Sequence, residues 1–337
     1  MAEPVVSVRN LGVEFVTRRG ILRAIDGVSF DIMPGEVLGV VGESGAGKSV
    51  TGSAIIGLIE PPGRIAGGEI LLHGKRIDNL PAEEMRKLRG RKIAMIFQDP
   101  LTSLNPLYRV GEQLIETIQT HTDLSASAAR ARAIDLLNEV GIPAPDRRID
   151  GYPHEFSGGM RQRVVIALAL SAEPDFIVAD EPTTALDVSV QAQIIQLIRK
   201  LCRERGTAVM LVTHDMGVIA ETADRVAVMY AGRVAEIGPV RDVIKHPLHP
   251  YAKGLMGAIP TLEAEAERLV QIPGSMPRLT NIPKGCAFNP RCDRVFDRCY
   301  IDKPEPIEPT KELAAREHLV PGHKVACHLY DTKGGAR

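Results

Sequence analysis

The stretch Gly42-Glu43-Ser44-Gly45-Ala46-Gly47-Lys48-Ser49 is the strongest indication of fold in this sequence, because it matches the pattern G-x-x-x-x-G-K-[ST]. The apolar run Val37-Leu38-Gly39-Val40-Val41 before it predicts a buried strand, and the spacing of Ile55 and Leu58 after it predicts a helix. Glycines let such a loop curl until consecutive backbone N–H groups surround phosphate oxygens, and the helix adds its positive N-terminal end. The sequence therefore predicts a phosphate-binding loop within an α/β fold.

Each part of this phosphate loop has an expected contact. Lys48 can reach the β- and γ-phosphates of a nucleotide, and the Ser49 hydroxyl can bind Mg²⁺. Backbone N–H groups of the loop and of the first helical turn complete the cradle. The residues expected to bind nucleotide here are Gly42, Glu43, Ser44, Gly45, Ala46, Gly47, Lys48, Ser49 and Val50.

A pair of carboxylates follows another predicted strand. The run Phe176-Ile177-Val178-Ala179 is apolar, and Asp180 comes at its carboxyl end, where open α/β sheets bind their ligands. Asp180 can hold Mg²⁺ through its water shell, and Glu181 can orient or deprotonate an attacking water. On its own the pair could equally end a strand or cap a helix. Beside a phosphate loop, the catalytic interpretation is favoured.

The surrounding pattern indicates an α/β core with a helical insert. Residues 5–32 alternate like antiparallel strands, and residues from about 100 to 172 have helical spacing. A helix is predicted from Val190 to Glu204, with Gly206 as its C-cap. Residues 226–237 predict a hairpin.

Proline density divides the chain into two expected domains. Twelve of the 24 prolines lie in residues 1–238, and the other twelve lie in the much shorter remainder. Because proline removes a backbone donor and restricts φ, the remainder should be loop-rich with short elements. We therefore expect an α/β domain over 1–238, with its helical subdomain at about 100–172, and a second small domain over 239–337.

Composition excludes several classes of protein. The chain has 337 residues, with 41 Lys+Arg against 42 Asp+Glu, so it lacks the basic excess of a dedicated nucleic-acid binder. Its longest apolar run, Val164–Leu170, is far shorter than the ~18 residues that span a bilayer. The start, Met1–Val6, lacks the features of a signal peptide. Any membrane association is expected to come through partners.

The stretch Phe156-Ser157-Gly158-Gly159-Met160-Arg161-Gln162 narrows the family. With the phosphate loop and Asp180-Glu181, it resembles the signature motif of ATP-binding cassette (ABC) ATPases. Its first residue is Phe where the family usually has Leu, and its fifth is Met where Gln is commonest. The resemblance implies that Ser157, Gly158 and Gly159 open a helix that contacts the γ-phosphate held by another subunit of a head-to-tail dimer. The alternative is an ordinary Ser-capped helix.

The same resemblance assigns roles to four more residues. Gln98 matches the glutamine that senses Mg²⁺ and couples to a membrane subunit. Asp187, in the stretch Ala185-Leu186-Asp187, matches a loop that crosses the dimer interface near the nucleotide. His214 matches the switch histidine that contacts the γ-phosphate. Phe15 is the candidate for stacking on adenine, although it could equally be a core residue.

Longer stretches resemble the dipeptide/oligopeptide (and nickel) import subfamily: residues 98–106, 151–156, 180–188 and 246–251. The resemblance implies an ATPase at the cytoplasmic face of the bacterial inner membrane that energises import of di- or oligopeptides. Its implied partners are a second, homologous ATPase subunit, two permease subunits and, indirectly, a periplasmic or extracellular peptide-binding protein. Nickel chelates and glutathione-like solutes remain alternatives. A soluble cassette ATPase acting on DNA or ribosomes is less favoured, because the insert is short and the chain has one cassette.

Four of the five cysteines crowd into the tail, as Cys286-x5-Cys292-x6-Cys299-x27-Cys327. An odd, uneven cysteine count does not indicate a secreted disulfide scaffold. Structural zinc usually shows closely spaced Cys pairs, whereas wide spacing is compatible with a [4Fe–4S] cluster. The resemblance also implies such a cluster, since some peptide-importer ATPases carry one. Zn²⁺ and unligated packing thiols stay open as alternatives, and Cys202 is expected in the core.

Overall fold

The structure is a computed structural model that describes residues 3–18, 20–184, 186–258 and 271–331. Its strands are β1 (Val6–Thr17), β2 (Gly20–Ile32), β3 (Val37–Val41), β4 (Gly63–Leu72), β5 (Lys75–Arg76), β6 (Ile93–Ile96), β7 (Phe176–Asp180), β8 (Ala208–Val212), β9 (Arg225–Tyr230), β10 (Arg233–Pro239) and β11 (Lys324–Val325). Its α-helices are α1 (Lys48–Ile55), α2 (Ala82–Leu88), α3 (Pro100–Ser103), α4 (Val110–His121), α5 (Ala126–Glu139), α6 (Pro145–Arg148), α7 (Gly158–Leu170), α8 (Val188–Arg205), α9 (Met216–Thr222), α10 (Val240–Lys245), α11 (Pro250–Gly257), α12 (Asp297–Ile301) and α13 (Lys311–Arg316). Short 3₁₀ helices span Pro153–Glu155, Asn289–Arg291 and His328–Tyr330.

The chain forms two compact units. Unit 1 consists of Met1–Ser7, Asp31–Val37 and Leu71–Val212, and unit 2 consists of Val8–Phe30, Leu38–Ile70 and Thr213–Arg337.

Unit 1 combines parallel strands with a group of helices. Strand β7 pairs in parallel with both β6 and β8, with Phe176 opposite Ile93 on one side and Ala208 on the other. Strand β7 is buried up to its last residue, as its apolar run predicts. Helices α4, α5 and α7 pack against one another through buried aliphatic side chains. The helical insert of the predicted fold is confirmed, and its helices α3 to α7 lie between Pro100 and Leu170.

Helix α8 shows how its caps set its length. It begins at Val188, two residues before the predicted Val190, because the Asp187 carboxylate accepts the Val190 N–H at 2.9 Å. It ends before Gly206, which has a left-handed φ of 69° and is the predicted C-cap. Cys202 lies buried on its inner face, as predicted, and its thiol contacts the Thr207 carbonyl.

Unit 2 contains antiparallel strands and the strand before the phosphate loop. Strands β2, β1 and β4 are neighbours in that order. Strand β3 pairs in parallel with β9, which pairs antiparallel with β10. The predicted hairpin is β9–β10, and its turn uses left-handed backbone at Ala231 and Gly232, as a type I′ turn requires.

The described elements beyond Pro239 are short, as the proline density predicts. Helices α10 to α13 have between five and eight residues, and β11 has two. A small core holds this region, in which Leu248, Val325 and Cys327 are buried against Ile307 and Tyr330. None of the helices in the described ranges has both the length and the apolar character needed to cross a membrane.

Candidate functional site

The phosphate loop lies between β3 and α1, in the context that its sequence pattern requires. Its glycines have left-handed backbone, with φ of 150° at Gly42 and 104° at Gly47. A Cβ at Gly42 would lie 2.2 Å from the Met229 carbonyl oxygen, and one at Gly47 would lie 2.7 Å from Cδ1 of Ile25. Larger residues are therefore excluded at both positions by backbone conformation and by space.

Lys48 is the first residue of α1 and is buried. Its ammonium group donates hydrogen bonds to the carbonyls of Gly42 at 2.9 Å and Glu43 at 3.2 Å, so the side chain folds back along the loop. Ser44 and Ser49 are exposed. The loop therefore combines a buried cation, exposed hydroxyls and a helix N-terminus, which is the chemistry of a phosphate site.

In unit 1, Asp180 ends β7 and Glu181 follows with a left-handed φ of 45°. The Glu181 N–H donates to the Val212 carbonyl at 2.9 Å, which holds this unusual backbone in place. Residues in sparsely populated backbone regions persist only where their surroundings impose the conformation, and such residues concentrate at functional sites. The strained position supports a functional role for Glu181.

Two side chains orient the Glu181 carboxylate. Gln98 donates to Oε2 at 3.1 Å, and Thr184 donates to the same oxygen at 2.9 Å. The structure thus brings together two predicted residues that are 83 positions apart in sequence. The sequence predicts no individual role for Thr184, although the residue lies in the motif that begins at Asp180.

The predicted signature residues open helix α7. Ser157 is its N-cap and accepts the Met160 N–H at 3.3 Å, and both Ser157 and Gly158 are exposed. A Cβ at Gly159 would lie 2.6 Å from Cγ1 of Val190 on α8, so the glycine permits close packing there. This geometry leaves the helix N-terminus accessible to an anion.

Asp187 caps α8 and is exposed. Its carboxylate accepts hydrogen bonds from the Val190 N–H and the Ser189 hydroxyl, and these bonds lower the pKa of Asp187. The neighbouring Ala185, part of the predicted interface stretch, lies outside the described residues.

His214 and Phe15 both belong to unit 2. His214 is exposed in the turn before α9, and the next residue, Asp215, caps that helix by accepting the N–H groups of Gly217 and Val218. Phe15 is half-buried in β1, and its ring lies beside Gly63, where a Cβ would approach it to 2.8 Å. Phe15 is thus neither fully buried nor fully exposed.

The predicted site residues divide between the units. Unit 1 contains Gln98, Ser157, Gly158, Gly159, Asp180, Glu181 and Asp187, and unit 2 contains Phe15, the phosphate loop with Val50, His214 and the four tail cysteines.

Two residues that sequence reasoning gave no role contact the phosphate loop at Glu43. The Glu43 N–H donates to the Tyr251 hydroxyl oxygen at 2.9 Å, and Arg291 forms an ion pair with the Glu43 carboxylate at 3.0 Å. Tyr251 ends the stretch 246–251, which resembles the peptide-import subfamily, but nothing in the sequence marks Arg291. Both come from the proline-rich region, more than 200 positions from the loop.

The four tail cysteines line one small cavity of about 10 Å³. Burial, together with the neighbouring thiols, raises the pKa of Cys286 and Cys292, and raises that of Cys327 to about 12. Four convergent thiols are a donor set that suits soft metals and iron–sulfur clusters. Within the described ranges, however, no three His, Cys, Asp or Glu side chains are arranged so that they could hold a metal ion. The four cysteines thus lie around one cavity, but within the described residues their side chains are not positioned to coordinate a metal ion.

Two family models match the chain. Residues 25–184 match the model described as ABC transporter, and residues 235–299 match the model described as oligopeptide/dipeptide transporter, C-terminal region.

Curated relatives match most of the chain. The dipeptide transport ATP-binding protein DppD of Bacillus subtilis is 51% identical over 302 residues, covering 88% of this chain and 90% of the relative. The oligopeptide transport ATP-binding protein OppD of Escherichia coli is 47% identical over 326 residues, covering 97% of this chain and 93% of the relative.

Solved structures share the fold. The ATP-binding cassette MJ0796, in a dimeric post-hydrolysis state bound to ADP and Pi, superposes with a TM-score of 0.63 and 31% identity, covering 70% of this chain and 99% of the other. The structure of cbiO1 from Clostridium perfringens, part of the ABC transporter complex cbiONQ, superposes with a TM-score of 0.62 and 28% sequence identity. The match covers 72% of this chain and 92% of the other. The predicted α/β phosphate-loop fold of the ABC type is confirmed. The chain belongs to the ABC transporter family, within the group of ATP-binding subunits that carry the oligopeptide/dipeptide transporter C-terminal region.

Proposed function

We propose that this chain is the ATP-hydrolysing subunit of an ABC transporter that imports dipeptides or oligopeptides. The observation that carries the hydrolytic part is the Glu181 carboxylate, held by Gln98 and Thr184 directly after the strand that ends at Asp180. The C-terminal family match and the curated peptide-transport relatives support the peptide part. Nickel chelates and glutathione-like solutes are the next candidates.

The residues divide the chemistry among them. Lys48 and the backbone N–H groups of the phosphate loop bind the phosphates of ATP, and Phe15 stacks on the adenine. Ser49, Gln98 and Asp180 would hold Mg²⁺, which neutralises charge on the phosphates when bound. Glu181 orients the attacking water and accepts its proton, while His214 donates to the γ-phosphate.

The proposed transporter also contains partner subunits. Ser157, Gly158, Gly159 and Asp187 face the nucleotide of a second, homologous ATPase subunit, and the exposure of Ser157, Gly158 and Asp187 supports this role. Two permease subunits bind near Gln98 and receive the conformational change of the ATPase subunits. In this region Leu101 and Leu107 are 62% and 80% exposed. Exposed apolar side chains grouped in this way favour a protein contact. The complex works peripherally at the cytoplasmic face of the bacterial inner membrane, with a peptide-binding protein outside and no nucleic acid.

The four tail cysteines are proposed to ligate a [4Fe–4S] cluster, with Zn²⁺ as the alternative. Their convergence on one cavity supports the cluster. Ligation would require the thiols to rearrange from their present positions and to deprotonate, since burial now favours the neutral thiol.

A Glu181→Gln substitution tests the hydrolytic assignment. Glutamine keeps the size and hydrogen-bonding capacity of the side chain but cannot accept a proton. We expect ATP binding and ATP-dependent dimerisation to persist while the turnover rate falls by about 100-fold or more. Glu173→Gln, in a turn after α7, is the matched control and should leave turnover unchanged. Turnover of Glu181→Gln at the wild-type rate would refute the catalytic role.

A further inference from the structure

Two side chains from the C-terminal region bind the phosphate loop at one residue, Glu43. The Tyr251 hydroxyl accepts the Glu43 N–H at 2.9 Å, and Arg291 Nη1 donates to Glu43 Oε2 at 3.0 Å. One contact fixes the backbone of the loop residue and the other fixes its side chain. All of these residues belong to unit 2.

Arg291 makes several contacts besides the ion pair with Glu43, so it is a fixed, buried side chain rather than a surface residue in an incidental ion pair. Its side chain is only 6% exposed, and its Nε and Nη2 atoms donate to the carbonyls of Pro273 at 2.8 Å and Ile272 at 3.3 Å. The guanidinium carbon also lies 5.9 Å from the ring centres of Tyr230 and Phe288. Burial opposes the charge, but hydrogen bonds to Glu43 and Tyr230 outweigh it and raise the pKa of Arg291. A desolvated cation fixed in this way imposes a definite geometry on its anionic partner.

Tyr251 is equally fixed. Its side chain is fully buried, with its ring 4.6 Å from that of Tyr230 and 5.5 Å from that of Phe288. Its own N–H donates to Nδ1 of His249 at 3.0 Å. Burial raises the pKa of Tyr251, so the hydroxyl stays neutral at physiological pH. The Glu43 N–H is therefore turned towards a rigid acceptor.

Glu43 is also the residue through which these contacts reach the phosphate-binding lysine. Lys48 Nζ donates to the Glu43 carbonyl at 3.2 Å and to the adjoining Gly42 carbonyl at 2.9 Å. A Cβ at Gly45 would lie 3.0 Å from the Met276 methyl, so the C-terminal region contacts the loop at a second residue. The shape of the loop before nucleotide arrives thus depends on the C-terminal region.

We propose that Tyr251 and Arg291 are positioning residues that hold the phosphate loop ready for nucleotide, so that the C-terminal region sets the affinity of this subunit for ATP. The inference rests on the proposed function and deepens it. Preorganising a binding loop raises affinity because the ordering cost is met before the ligand binds. A merely structural role, in which the same contacts only anchor the C-terminal region, predicts lost stability with unchanged nucleotide affinity.

Tyr251→Phe is the mildest test, because it removes the acceptor of the Glu43 N–H and keeps the ring. Tyr330→Phe is the matched control, since its hydroxyl also makes a partly buried C-terminal contact, to the Leu248 carbonyl at 2.8 Å. In the full chain, we expect the Kd for a fluorescent ATP analogue and the KM for ATP to rise about three- to tenfold in Tyr251→Phe, with kcat within about twofold. Tyr330→Phe should leave the Kd, KM and kcat at wild-type values.

The ion pair is tested by a double-mutant cycle with Glu43→Gln and Arg291→Gln. Each single change should raise the Kd, and the double variant should bind no more weakly than the weaker single variant, because both remove the same interaction. Arg291→Lys should recover part of the affinity, since it keeps the charge but not the forked geometry.

Wild-type Kd and KM in folded Tyr251→Phe and Glu43→Gln would overturn the proposal. Melting temperature and circular dichroism establish that the variants fold. If the wild-type chain itself neither binds nor hydrolyses ATP, the proposed function fails instead. The two failures are therefore distinguishable.

Discussion

At the residue scale, Glu181 shows how local strain and hydrogen bonding act on one carboxylate. Its φ of 45° turns the side chain at the end of β7, and the amide of Gln98 and the hydroxyl of Thr184 then share one of its oxygens. A sequence motif can name Glu181 and Gln98 as residues of interest, as the resemblance does here. That their side chains meet follows from the parallel pairing of β6 with β7, which brings the ends of both strands to one edge.

Thr184→Val removes the hydroxyl donor to Glu181 while keeping the volume of the side chain. We expect kcat for ATP hydrolysis to fall about three- to tenfold with an unchanged KM, because the carboxylate loses orientation but the phosphate site is untouched. Thr120→Val is the control, since that hydroxyl only bonds the Glu116 carbonyl within α4. Steady-state hydrolysis checks both variants, and equal kcat in the two would contradict the orienting role.

At the scale of elements, Asp26 ties separate segments of unit 2 together. It lies in β2 and accepts hydrogen bonds from Arg233 at the start of β10 and from Lys303 in the C-terminal region. Burial acts to raise the pKa of Asp26, but these cations outweigh it and hold the pKa below its ordinary 3.8. The strand pattern predicts β2 and β10, yet this link between them depends on side chains over 200 positions apart.

Asp26→Asn should lower the free energy of unfolding by about 1–3 kcal/mol near neutral pH, because it removes the charge that offsets two cations. Since the folded pKa lies below the unfolded one, the stabilisation is present above about pH 4 and is lost as pH falls through the folded pKa. Urea unfolding of both proteins across this range measures the difference.

The control for this effect is Asp302→Asn, whose side chain is 56% exposed in its pair with Arg298. It should change the stability little at any pH. A difference between wild type and Asp26→Asn that does not shrink on acidification would contradict the electrostatic explanation.

At the scale of the whole molecule, the C-terminal region joins two features that the sequence presents as unrelated. The 3₁₀ helix Asn289–Arg291 carries the arginine that holds the phosphate loop, and the next residue is Cys292 of the cysteine cavity. The crowding of cysteines predicts a shared site, and the structure does bring all four thiols together.

Protein purified without oxygen should be brown and contain about four irons per chain, and these should be lost in Cys286→Ser. Elemental analysis and the visible absorption spectrum measure both results. Cys202→Ser is the control, because this thiol lies buried on α8 and should leave the iron content unchanged. Stoichiometric zinc without iron would reject the cluster, and a chain free of both metals would support packing thiols.

The elements of the fold and the residue types of the nucleotide site can be predicted from the sequence alone. Apolar runs, helical spacing, caps and the glycine-rich loop act over a few neighbouring positions, so they can be identified along the chain, as β3, β7, α8 and the β9–β10 hairpin show. The contacts of Arg291 and Tyr251 with Glu43, and those of Thr184 and Gln98 with the Glu181 carboxylate, are visible only in the folded chain. Such contacts depend on where distant segments are brought by packing of the whole chain, and no local periodicity records them.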